Sequence, residues 1–142
     1  MEFTINDYME AIEREMLKRS VTYPKILAKL DEEEKIKIET SQSFQNWRLA
    51  TVKIKLEYYN NSKYTLTSGD DKCLLELTRE YSMRLKCYPR FVYFKRMTQE
   101  MADSELTVWK SMIDFYVATF NPDAKIIYKK TVCKLFLPAY SN

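Results

Sequence analysis

The chain has 142 residues, enough for one domain with a real core, and sets 46% apolar against 30% charged residues, a normal globular balance. No apolar run approaches the ~18 residues needed to span a bilayer, and Met1-Glu2-Phe3-Thr4 lacks the basic-then-apolar order of a signal peptide. The net charge of +3 is uneven: residues 1–70 carry 11 basic and 12 acidic side chains, residues 71–142 carry 12 and 8.

Histidine is absent, which removes the commonest general base, metal ligand and pH switch together. The expectation is a protein that is not an enzyme, with no catalytic residues, no metal and no cofactor. Glycine occurs once, at Gly69. Few glycines mean few positive-φ turns, which disfavours turn-rich β architectures and predicts a mainly α fold. Cys73, Cys87 and Cys133 are odd in number and widely spaced, which reads as reduced thiols in an intracellular, cytoplasmic protein.

Thr4 followed by Asp7 predicts a helix start, a hydroxyl cap with a carboxylate in the first turn. Tyr8, Ile12, Met16 and Tyr23 then mark one helical face, and Pro24 predicts a kink or a stop. The acidic run Asp31 to Glu34 suits the loop and first turn of a second helix, where negative charge meets the dipole. From Ile38, the residues Phe44, Trp47, Thr51, Ile54 and Tyr58 follow helical spacing. Val52, Ile54, Leu56 and Tyr58 also alternate with polar residues, so a short β-hairpin over 51–67, turning at Asn60-Asn61, stays open beside the helix.

Thr67 to Asp71 reads as the clearest linker, with Asp70 or Asp71 capping the next helix. Leu74, Leu77, Tyr81, Leu85 and Tyr88 trace its apolar face, and Pro89 interrupts it. Thr98 begins a fourth helix, carried by Ala102, Glu105, Leu106, Trp109, Met112, Ile113 and Tyr116 as far as Asn121-Pro122-Asp123. The tail from Lys125 to Leu137 is rich in β-branched and aromatic residues and predicts an extended arm or strand.

Part of the chain recurs. Arg14-Glu15, Arg19 and Tyr23-Pro24-Lys25 return as Arg79-Glu80, Arg84 and Tyr88-Pro89-Arg90, at an offset of 65. A fixed period points to one supersecondary unit used twice. The expected organisation is a single domain of two degenerate helical hairpins, repeat 1 over about 4–59 and repeat 2 over about 71–120, with a linker at about 60–70 and a tail at 121–142. Glu15 and Arg19, like Glu80 and Arg84, are four apart and can pair on one helix face.

Residues 79–96 are the sharpest local signal. Arg79, Arg84, Lys86, Arg90, Lys95 and Arg96 face one acid, Glu80, and are interleaved with Tyr81, Tyr88, Phe91, Tyr93 and Phe94. Charge for a phosphate backbone and rings for stacking are what a single-stranded nucleic acid groove needs; core packing with a solvated charged rim is the plainer alternative. The candidate partner- or nucleic-acid-binding residues are Arg84, Lys86, Tyr88, Arg90, Phe91, Tyr93, Lys95 and Arg96. The carboxylate pairs Asp70-Asp71 and Asp103-Glu105 lack a third ligand at a telling spacing and read as caps or surface groups.

The stretch from Thr78 to Leu106 resembles a group of small bacteriophage and prophage proteins. The pattern is carried by Arg79-Glu80, Met83-Arg84, Tyr88-Pro89-Arg90, Val92, Arg96-Met97-Thr98, Ala102-Asp103 and Glu105-Leu106. Phe91 stands where the group commonly has Trp, and Lys95 where it commonly has Gly. The resemblance implies a phage accessory protein in a bacterial host cell, of the kind that inhibits a host defence complex in an anti-CRISPR-like manner. The implied partner is a host defence protein or ribonucleoprotein complex. A nucleic-acid-binding module for phage replication or recombination, or a nucleotide-sequestering sponge, are the alternatives. No membrane is involved, and a homo-oligomer is left open.

Overall fold

Four capped helices make up most of the chain. The computed structural model describes residues 2–62, 66, 71–128 and 133–136. The first helix, α1, spans Ile5–Leu27; the Thr4 hydroxyl accepts from the Asp7 amide at 3.2 Å, and the Thr4 amide donates back to the Asp7 carboxylate at 2.7 Å. Asp31 caps α2 (Glu32–Asn60), whose first turn holds Glu32, Glu33 and Glu34 against the positive end of the dipole. Asp71 caps α3 (Lys72–Tyr93), and Thr98 caps α4 (Gln99–Phe120). Past α4, β1 (Lys125–Tyr128) and β2 (Cys133–Phe136) run antiparallel, Lys125 opposite Phe136.

Helix α1 packs on α2, α2 on α3, α3 on α4, and α4 returns to α1. The contacts fix alternating directions. Tyr23 near the end of α1 donates to Gln45 in the first half of α2, and Tyr8 near the start of α1 meets Ser111 in the second half of α4. The core is the stripe each helix turns inward: Tyr8, Ala11 and Ile12 from α1, Leu49, Val52 and Leu56 from α2, Leu74, Leu77 and Tyr81 from α3, and Val108, Trp109, Met112, Ile113, Tyr116 and Phe120 from α4. At one end, the buried Asp71 carboxylate accepts from the Tyr116 hydroxyl at 3.0 Å and from the Asn121 amide at 3.3 Å. Lys55 of α2 donates to the same Tyr116 oxygen at 2.8 Å.

Three expectations are corrected. Residues 51–60 are helical, so no β-hairpin forms there; residues 63–65 and 67–70 lie outside the described set. The helical period wins because Leu49, Val52 and Leu56 bury on one face while Ile54 and Tyr58, which complete the alternating pattern, are exposed. The second correction is to the α2 face itself: Phe44, Trp47, Ile54 and Tyr58 point outward, and the inward stripe is one register away. Third, Pro24 and Pro89 neither end nor interrupt their helices, which continue to Leu27 and Tyr93. Both prolines are exposed within the last turns. Each deletes one amide donor there, and water can solvate a carbonyl freed at such a position.

The α3–α4 turn is made without glycine. Lys95 takes φ 60°, its amide donates to the Val92 carbonyl at 3.1 Å, and the Arg96 amide donates to the Phe91 carbonyl at 2.8 Å. That is a Schellman closure with a lysine at the left-handed position, where a β-carbon carries a steric cost. Lys95→Gly is expected to raise stability by ~0.5–1 kcal/mol, read as a higher urea midpoint with an unchanged slope. An unmoved midpoint would mean the turn carries no strain.

Candidate functional site

The repeated Glu and Arg residues meet at the middle of the bundle. Arg19 Nε donates to Glu15 Oε2 at 2.9 Å along α1, and Arg84 Nε donates to Glu80 Oε2 at 3.2 Å along α3. Across the bundle, Arg19 Nη2 donates to Glu80 Oε1 at 3.0 Å and Arg84 Nη2 to Glu15 Oε1 at 2.7 Å. The four side chains close a ring with a local two-fold relation: Nε serves the Oε2 of its own helix, Nη2 the Oε1 of the other. All four are buried. The 65-residue repeat in the sequence is this ring.

Outer groups satisfy what the ring leaves. Arg19 also donates to Asn46 of α2 at 3.2 Å and to the buried Glu76 at 2.5 Å. Arg79 grips Glu76 with two donors, at 2.8 and 2.7 Å. Arg84 Nη1 reaches Glu105 of α4 at 2.8 Å, and Arg14 covers Glu105 from outside. Arg84 also lies 4.4 Å from the centre of the Trp109 ring, and Arg19 and Arg84 each stack on the tyrosine of their own repeat, Tyr23 and Tyr88, at 5.5 and 5.7 Å.

The two ring carboxylates differ electrically. Burial pushes Glu15 up from the ordinary 4.5, with the Glu80 charge adding to the rise against the pull of both arginines. Burial acts the same way on Glu80, but Arg84, Arg19 and Arg79 outweigh it and hold that carboxyl below 4.5. Glu105 is also held low, burial being outweighed by Arg84 and Arg14. Burial opposes the charge of Arg19 and Arg84, but their acidic partners keep both guanidiniums firmly protonated.

The eight residues expected to bind a partner separate into three groups by burial. Arg84 and Tyr88 are buried and belong to the ring assembly. Phe91 is half-buried, its ring 6.2 Å from that of Tyr88. Lys86, Arg90, Tyr93, Lys95 and Arg96 are exposed at the C-terminal end of α3 and in the following turn. None of those four cations has an acidic partner among the described residues. Tyr93 is 79% exposed and stands edge-on to the exposed Phe94 at 5.1 Å. Sequence reasoning missed Glu76, Asn46 and Glu105 as members of the charge network. Glu76 stands one turn before Glu80, a spacing that could have marked it, whereas Asn46 and Glu105 arrive only through helix packing.

Cys73 is a buried free thiol and Cys87 a half-buried one; burial pushes the Cys73 thiol up, away from reactivity. Among the described residues no group of acids and thiols is placed to hold a metal ion, and no helix is long and apolar enough to cross a membrane.

The carboxylate asymmetry gives a signed prediction. A low folded value at Glu80 contributes stability above about pH 4.5 that is lost as the pH falls through it, while a raised value at Glu15 works against the fold as the pH rises. Glu80→Gln is therefore expected to cost ~3–5 kcal/mol at pH 7, as breaking a buried pair does. Glu15→Gln should cost clearly less, with the gap closing towards pH 4. Urea unfolding of both variants at the two pH values checks this; an equal or larger loss at Glu15 would contradict it.

Compared with known proteins, the chain matches no family model, no curated protein and no solved structure.

Proposed function

We propose that the chain is a non-enzymatic phage accessory protein that inhibits a host defence complex, and that its contact surface is the exposed basic and aromatic end of α3. The observation that carries this reading is the set Lys86, Arg90, Lys95 and Arg96, unpaired among the described residues and placed around the outward Tyr93 and Phe94. Arginine and tyrosine concentrate energy at protein interfaces, because each brings contact area together with directed hydrogen bonds. Burial of Arg84 and Tyr88 narrows the surface to Lys86, Arg90, Tyr93, Lys95 and Arg96, with Phe91 at its edge. The phage setting and the defence target come from the resemblance over Thr78 to Leu106, in a bacterial cytoplasm.

A single-stranded nucleic acid is the second reading. Two exposed rings flanked by free cations are also a stacking platform with backbone charges. Salt separates the two readings, since phosphate binding releases counterions and weakens steeply as salt rises.

The test is capture of the tagged chain from a nuclease-treated bacterial host, repeated with Lys86→Glu combined with Arg90→Glu. The expected result is a stoichiometric defence nuclease subunit on the wild-type chain and its loss from the variant at an unchanged melting temperature. Retained capture by the variant would remove this surface from the account. Bound nucleic acid in place of a protein, released by moderate salt, would favour the second reading.

A further inference from the structure

The end of the bundle that carries Pro24 and Pro89 holds an open groove of about 370 Å³ between α1, α2 and α3. Its volume lies at the lower end of the range for small-molecule sites. Its lining includes Ile26, Ile38, Met83, Cys87 and Phe91, together with Glu15, Glu80 and Arg84 of the charge ring. Ile26, Ile38 and Met83 are large apolar side chains left exposed around it.

The local two-fold symmetry of the ring breaks in this groove. Tyr23 and Tyr88 are equivalent in the repeat, and both line the groove. The Tyr23 hydroxyl donates to Gln45 at 2.9 Å. The Tyr88 hydroxyl is buried and has no hydrogen-bond partner among the described residues, and Tyr88 as a whole is only 3% exposed. A buried hydroxyl with no partner is costly, and an acceptor atom brought beside it would relieve that cost. Burial, only partly offset by Arg84, pushes the Tyr88 phenol up to about 12, which keeps it a donor at every physiological pH. Nearby, Arg79 Nη1 donates only to the thioether of Met83, a weak acceptor that an oxygen would outcompete. The ring and its outer groups balance: Glu15, Glu76, Glu80 and Glu105 offset Arg14, Arg19, Arg79 and Arg84. Lys18, exposed on the groove, has no acidic partner among the described residues and leaves one uncompensated positive charge.

We infer that this groove is a binding site for an amphipathic monoanion, an apolar body between Ile26, Ile38, Met83 and Phe91 with a carboxylate that accepts from Tyr88 and neutralises Lys18. One uncompensated cation favours a singly charged carboxylate over a phosphate dianion. The inference does not rest on the partner surface at the end of α3, with which the groove shares Phe91.

The test is a titration of the isotope-labelled full chain, followed by amide chemical shifts, with decanoate, decanol and decyl phosphate as probes at neutral pH. Decanoate is expected to saturate, with shifts at Lys18, Met83 and Tyr88, and to bind more tightly than either other probe. Tyr88→Phe should weaken decanoate about tenfold, the worth of one hydrogen bond, with the melting temperature unchanged or raised. Met83→Trp, which fills the groove at an exposed position, should abolish binding and keeps the test decisive if Tyr88→Phe unfolds. Non-saturating shifts, equal affinity in Tyr88→Phe, or decanol or decyl phosphate binding as tightly as decanoate would each overturn the assignment.

Discussion

Two guanidiniums and two carboxylates from non-neighbouring helices close a ring at the middle of this bundle, and the arrangement of the four helices depends on it. Helices α1 and α3 do not follow one another around the bundle. What joins them is a set of cross-bundle ion pairs, from Arg19 to Glu80 and Glu76 and from Arg84 to Glu15. Apolar packing is non-directional and fixes the sliding of α1 against α3 less sharply than directed bonds do. A ring of fixed-geometry forks resists it, because a one-turn slip would strand buried charges without partners. Removing one member is costly for that reason, although replacing the whole ring by well-packed apolar residues need not be. Its contribution is therefore register more than net stability.

The ring also divides the basic stretch of α3 by burial. Arg84 looks in sequence like the other cations between residues 79 and 96, but it is spent inside, on Glu15, Glu80 and Glu105. The cations beyond Tyr88 have no such claim on them, and the Lys95 turn carries the last of them out past the end of the helix. Glu15, Glu80 and Arg84 of the same ring also line the groove. Among the described residues, the ring's balanced charges leave Lys18 as an uncompensated cation and the Tyr88 hydroxyl as a buried donor without a partner.

Much of this was legible beforehand. The cap at Thr4 and the helix start at Thr98 follow from local side-chain chemistry, Asp71 is one of the two caps that chemistry offers for α3, and Asp31, expected in the loop and first turn of α2, is its cap. The repeat marked Glu15, Arg19, Glu80 and Arg84 as pairs. It could not show that the pairs interlock, because that needs the positions of α1 and α3 relative to each other. The inward face of α2 was obscured by its own composition: apolar residues lie on both sides, and only packing chooses Leu49, Val52 and Leu56 over Phe44, Trp47 and Ile54. The breaks expected at both prolines do not occur because proline propensity describes helix interiors, whereas these lie in terminal turns.

A double-mutant cycle on Glu15 and Arg84, joined at 2.7 Å across the bundle, addresses the ring most directly. Glu15→Leu, Arg84→Met and their combination would be unfolded in urea at pH 7. A closed ring predicts that the double variant loses ~1–3 kcal/mol less than the two single losses combined, since each single change leaves a buried charge unpaired. Losses that add to within ~0.5 kcal/mol would mean the two residues act independently and that packing alone sets the register of α1 and α3.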